Sequence, residues 1–197
     1  ASPKNTLATV TPGDLKFADV DGNGEITPED RTMIGNPTPK VIYGFSLGVN
    51  YKNWSLGIDM MGQGGNKIFR TWDNYNFAQF NYLEQRLDRW HGEGTSNTQP
   101  LLNSKHSINY LNSDYYIESG NFFRIRNVQL AYAFDKSLLA KIRLQALKVY
   151  VNIQNLKTWK HNTGYTPELR GTATAFGVDN GSYPVPAVYT FGINLTF

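Results

Sequence analysis

At 197 residues the chain is long enough for one domain with a sizeable core. It has no cysteine, which excludes a disulfide framework and thiolate chemistry. Its 19 Lys and Arg against 16 Asp and Glu leave a net charge of +3 with no dense basic stripe, so nucleic acid is not an expected partner. No apolar run reaches the roughly eighteen residues of a membrane-spanning helix. From Ala1 onward there is no charged start followed by an apolar stretch, so no signal peptide is expected.

Residues 1–40 are polar and rich in turn formers, and read as a loop region. Within them Asp19–Asp30, DVDGNGEITPED, follows the calcium-loop template. Asp19, Asp21 and Asn23 stand at positions 1, 3 and 5, Gly24 at the sharp turn, Glu25 at the carbonyl position and Asp30 at position 12. Alternate oxygens at this spacing can wrap a hard cation, so Ca2+ is the expected cofactor, in a structural role. Asp30 is one methylene shorter than the usual Glu, and Pro12-Gly13 argues against an entering helix. The alternative is an Asp/Gly-rich turn without metal.

From Val41 the pattern changes to period two. Val41, Tyr43, Phe45, Leu47, Val49 and Tyr51 alternate with smaller or polar residues, which predicts a strand at 41–51. The alternation restarts at 54–63 with Trp54, Leu56, Ile58 and Met60. A two-residue turn at Lys52-Asn53 sets Tyr51 opposite Trp54, Val49 opposite Leu56, Leu47 opposite Ile58 and Phe45 opposite Met60. Residues 65–121 read as a long decorated loop. Phe77, Phe80, Leu83, Leu87 and Trp90 fall at helical spacing within it and predict a short amphipathic helix. Its aromatics, Trp72, Tyr75 and Trp90 foremost, either pack the loop on itself or contact a partner or ligand. Trp159, His161 and Tyr165 in the later loop carry the same two readings.

Strands are predicted at 122–134 and 147–156, with a connector between them. In the first, Val128, Leu130, Tyr132 and Phe134 share a face that parity extends back to Arg126 and Arg124. The last strand is 188–197, where Tyr189, Phe191, Ile193, Leu195 and Phe197 share a face. The polar faces carry Asp59, Lys148, Tyr150, Asn152, Gln154 and Asn194, a set without catalytic spacing. His91, His106 and His161 are scattered in loops, and no nucleophile–base arrangement is suggested, so the chain is not expected to be an enzyme.

Strands of this length match the ~9–11 residues that cross a bilayer with tilt. Aromatics stand toward the ends of the apolar faces, and short and long connections alternate, as in outer-membrane barrels. The expected class is all-β: about five C-terminal strands of a large antiparallel transmembrane barrel with long extracellular loops. Five strands cannot close such a barrel, so a longer protein is expected.

Several phrases in order carry a resemblance: GDLKFADVDGNGEITPEDRTMIGNPTPK, YGFSLGVNYKNWSLGIDMMGQGG, YIESGNFFRIRNVQLAYAF, VYVNIQNLKTW, TGYTPEL and YPVPAVYTFGINLTF. Together they resemble the C-terminal part of SusC/RagA-type TonB-linked outer-membrane transporters of Bacteroidetes, from about residue 13 onward. The resemblance implies a barrel of roughly 22 strands with an N-terminal plug. It implies a SusD-like lipoprotein as lid, TonB acting through parts not in this chain, and import of oligosaccharides or peptides. It also implies that the last strand, ending in an aromatic residue, is read by the barrel-assembly machinery and closes the barrel with no room for a tail. Two rival classes remain: a soluble calcium-loop β-sandwich that binds a ligand, and an outer-membrane surface protein that does not transport.

Overall fold

The computed structural model describes residues 3–72, 82–102, 107–169, 171–172 and 174–197. In chain order, β1 (Lys4–Asn5) lies parallel to β2 (Glu25–Ile26). Then come β3 (Val41–Tyr51), β4 (Trp54–Gly64) and the short β5 (Lys67–Arg70). After the long loop follow β6 (Ile117–Ser119), β7 (Phe122–Ala133), one helical turn at Lys136–Leu139, β8 (Ala146–Lys160), β9 (Val178–Asp179) and β10 (Val188–Thr196). The chain divides into two compact units: Ala1–Ile34 with Arg70–Ile117, and Gly35–Phe69 with Glu118–Phe197. The long loop thus groups with the N-terminal stretch, not with the strands. Among the described residues no helix is long and apolar enough to cross a membrane, which says nothing about crossing by strands.

The long strands form one antiparallel sheet in the order β10-β8-β7-β4-β3. Each lies beside the next long strand in sequence; short connections join β3 to β4 and β7 to β8, while long loops join β4 to β7 and β8 to β10. The β3–β4 hairpin has the predicted register throughout, with Tyr51 opposite Trp54 and Phe45 opposite Met60. Lys52 takes a left-handed φ of 52° in the turn. Asn53 ties this turn to the next one: its Nδ2 donates to Asp135 Oδ1 at 2.8 Å, and its carbonyl accepts from Ala133 N at 2.9 Å.

The ladder carries the pairing of apolar residues across all five strands. One row runs Tyr51, Trp54, Tyr132, Val149, Ile193, and the next runs Val49, Leu56, Leu130, Val151, Phe191. This continuous face stays open to its surroundings: Phe45 is 60% exposed, Phe191 68% and Tyr189 69%. None of the fully buried apolar residues lies on it. Phe122 and Ala131 are buried on the opposite, polar face, and Ile26, Ile68, Ile108, Tyr116 and Leu139 lie outside the sheet.

Three expectations are corrected. Arg124 does not share the face of Val128 and Leu130. A bulge at Arg126 lets Asn127 pair with Asp59 while Ile125 pairs with Met60, so Arg126 is skipped and the parity of β7 inverts. Phe123 and Ile125 thereby join the apolar face, and Arg124 turns to the polar one, where it is buried at 4% exposure. Next, β8 runs to Lys160, beyond the expected 156, because a second irregularity at Asn155 (φ 54°) lets pairing with β7 resume at Lys157. Finally, the described part of the expected amphipathic helix is a 3-10 segment, Glu84–Asp88. Leu83 and Leu87 are exposed and Arg86 is buried, so the apolar spacing does not mark its inner face. Phe77 and Phe80 lie outside the described residues.

Candidate functional site

The loop Asp19–Asp30 is organised by its own acidic side chains. Asp19 Oδ1 accepts from Gly22 N at 2.7 Å and Asn23 N at 3.1 Å, and its Oδ2 accepts from Gly24 N at 2.8 Å. Gly22 and Gly24 have φ of 77° and 86°, values that side chains with a Cβ adopt only at a cost. Asp21 Oδ1 accepts from Asn23 N, and Asn23 Oδ1 accepts from Glu25 N at 2.8 Å. Asp30 closes the loop, accepting from Val20 N and Thr27 N, each at 2.7 Å. These amides, Thr27 first and Val20 next, hold the Asp30 carboxyl below the usual carboxylate range.

The result brings oxygens of Asp19, Asp21 and Asp30 within 4.8 Å of one another. Calcium takes oxygens at about 2.3–2.6 Å, so ligands on opposite sides of the ion stand about 5 Å apart, and this donor set fits. β1 receives the loop's exit: Lys4 N donates to Gly24 O at 3.0 Å and Thr6 N to Ile26 O at 3.1 Å. Carbonyls alternate in direction along a strand, so Glu25's carbonyl points away from β1, as position 7 of a calcium loop requires. Its carboxylate instead meets Lys4 Nζ at 3.7 Å. Ile26 is buried and anchors the loop.

Among the aromatic candidates, Trp90 is half-buried, with its ring against Gly13. A Cβ on Gly13 would come within 2.3 Å of that ring. Trp72 is also half-buried and lies beside Arg70, whose guanidinium stands 5.7 Å from its ring centre. The same guanidinium is 5.6 Å from each of the Tyr115 and Tyr116 rings. Both tryptophans therefore pack within their own unit. Tyr75 lies outside the described residues. In the later loop, Tyr165 is well exposed, and among the described residues His161 belongs to no group of three or more side chains that could hold a metal.

The terminal strand is fully integrated. Tyr189, Phe191, Ile193 and Leu195 stand opposite Ile153, Val151, Val149 and Leu147, and exposed Phe197 follows them. At the other end of the sheet the inverted parity creates a polar clasp that parity reading missed. Arg124 donates from Nε to Thr158 Oγ1 at 2.7 Å and pairs with the Glu168 carboxylate. Lys160 Nζ donates to the carbonyls of Asn162 and Gly164, and Thr163 donates from N and Oγ1 to Glu118. A signal for this was present in the sequence. Unbroken parity would put two arginines on the apolar face and Phe123 and Ile125 on the polar one, and an extra residue resolves both conflicts.

No family model matches the chain. In sequence it is similar to TonB-dependent receptor P3 of Formosa agariphila, at 31% identity over 200 residues, covering 94% of this chain and 19% of that protein. It is also similar to TonB-dependent receptor SusC of Bacteroides thetaiotaomicron, at 25% identity over 92% of this chain and 17% of that protein. In fold it is similar to a chain of the RagAB peptide transporter, with a TM-score of 0.74 and 25% identity over 94% of this chain and 20% of that one. The chain thus spans about a fifth of the length of the proteins it matches. These relatives are receptors and transporters, in line with the expectation that the chain is not an enzyme.

Proposed function

We propose that this chain, which is related in sequence and fold to a stretch of the SusC/RagA-type TonB-linked outer-membrane transporters, is the C-terminal barrel segment of an importer of oligosaccharides or peptides. The observation that carries this reading is the five-strand apolar face, in register and uncovered. A face of this size is costly in water, whereas in a bilayer it meets its natural solvent. A soluble sandwich would bury that face as its core. The polar face, with Asp59, Tyr150, Asn152 and Gln154, then lines a lumen, and Ser46 Oγ donates to Asp59 Oδ1 there at 2.7 Å.

In this reading the turns at Lys52-Asn53 and 135–145 are periplasmic and the longer loops extracellular. A SusD-like lipoprotein lid meets those loops, and TonB acts on parts outside this chain. The strand β10, with Tyr189, Phe191, Ile193 and Leu195 on its apolar face, is in this reading a segment that the barrel-assembly machinery contacts. The Asp19–Asp30 loop holds Ca2+ through Asp19, Asp21, Asn23, the Glu25 carbonyl and Asp30, and its role is to stiffen an extracellular loop. The name of the RagAB relative supports a peptide, and oligosaccharides stay beside it as the other cargo that the resemblance implies.

The deciding experiment is uptake of labelled peptide and oligosaccharide pools by cells carrying the full-length protein, with TonB intact or disrupted. Uptake that needs both this protein and TonB supports import. Outer-membrane residence without TonB-dependent uptake of either pool overturns it in favour of a surface protein. Recovery of the protein in the aqueous fraction without detergent overturns the membrane reading altogether.

A further inference from the structure

Lys157 is out of place. It stands on β8 opposite Ile125, on the same face as Ile153 and Trp159. It is the only charged residue at an apolar-face position of the five-strand ladder. Its side chain is exposed and has no hydrogen bond or ion pair with any described residue. Arg126, the bulged residue next to Ile125, is likewise exposed and unpaired among the described residues. Just beyond Lys157 toward the loops lies an aromatic row. Trp159 stacks on Phe123 at 5.7 Å between ring centres, and Phe123 on Tyr43 at 6.5 Å.

A row of this kind marks the depth at which a bilayer gives way to its head groups. A lysine two residues inside it can lay its stem on apolar neighbours and carry its ammonium outward to that depth. No acidic side chain stands on the face to neutralise it. The complementary ligand is apolar where Phe45, Met60 and Ile125 are, and anionic where the ammonium ends. We infer that Lys157, with Arg126 next in chain to its ladder partner Ile125, forms a head-group site for a phosphorylated lipid of the outer leaflet. This rests on the membrane reading above, but not on import.

The test is native mass spectrometry of the full-length protein, extracted from outer membranes in mild detergent and mixed with lipid A bearing two phosphates. The comparison lipid is the same lipid A after dephosphorylation. Loss of one charge-assisted contact predicts about tenfold weaker retention of the phosphorylated lipid by Lys157→Gln. Lys157→Arg, which keeps the charge, retains it, and Arg126→Gln gives a smaller loss. Lys141→Gln, at the turn end, leaves retention unchanged. Equal retention by Lys157→Gln and the parent overturns the site, as does an equal loss in Lys141→Gln. Displacement by millimolar inorganic phosphate overturns it in favour of a free-anion site. Cell uptake by the same variants separates the two readings: failure of import with lipid retention intact counts against the transporter alone.

Discussion

The N-terminal loop unit and the five-strand sheet solve the same chain with opposite chemistry. In the loop unit, polar side chains fold the backbone. Asp19 and Asp30 gather amides, Asn109 accepts from Leu15 N at 2.7 Å and donates to Asp14 and Leu101 O, and buried Tyr116 donates to Asn109 O at 2.6 Å. In the sheet the backbone satisfies itself through its ladder, and the side chains on one face are left to the surroundings. The first design suits water, which competes for every polar group and so demands local closure. The second suits a solvent with no hydrogen bonds to offer, where only the ladder can satisfy the backbone. The difference shows that exposure of apolar residues is not a flaw here, since it is confined to one face and one period.

The strongest way to break this comparison is to place a charge on the sheet's open face. Leu130→Arg, in the middle of the face, is expected to cost ~2–4 kcal/mol of membrane stability. The polar-face change Asn152→Arg is expected to cost far less. Denaturant titration of the assembled protein in detergent or lipid vesicles checks both, and equal effects would mean that the two faces do not see different solvents.

Next comes the clasp. Arg124 is buried, and Glu168 is its partly exposed partner. Arg124→Met removes the cation and leaves Thr158 and Glu168 without it. A loss of about 2–3 kcal/mol is expected, below the range for fully buried pairs because Glu168 reaches water. Protease cleavage within 161–169 should rise in parallel.

A steric probe ranks third. Gly62 lies under Tyr43, whose ring would come within 2.4 Å of a Cβ, while the backbone oxygen of Phe122 lies within 2.6 Å of it. Gly62→Ala is expected to cost about 1–3 kcal/mol through overpacking. Its readout is the same titration, together with altered Tyr43 fluorescence.

The smallest effects belong to the loop. Asp30→Asn weakens the bonds to Val20 and Thr27 by about 1 kcal/mol. If calcium binds, the variant also lowers its affinity, which calorimetry of the full-length protein reads directly. Without metal, acid should mimic the variant. The folded carboxyl of Asp30 lies below its ordinary value. Its contribution is therefore full above the ordinary aspartate range, near about pH 4, and is lost as pH falls through the lowered value. Protection of the Val20 and Thr27 amides, taken as exchange relative to the unfolded-chain rate at the same pH, should fall only there, and a loss of protection starting near neutral pH would contradict the assignment.

Much of the sheet was written in the sequence. Period-two alternation depends on each residue and its neighbours alone, so it located all five long strands. The two-residue turn fixed the hairpin register because a slip by one residue would exchange the faces. The calcium-loop spacing likewise sufficed to bring Asp19, Asp21 and Asp30 together, since the loop closes on its own amides. What the tertiary structure decided was how strands agree with strands. The bulge at Arg126 exists only because β4 supplies Asp59 and Met60 without a residue between, and β8 answers with its turn at Asn155. From one strand read in isolation, Arg124 belongs with Leu130. Between two partners it turns to the other face and finds Thr158 and Glu168, contacts 34 and 44 residues away that no local pattern encodes.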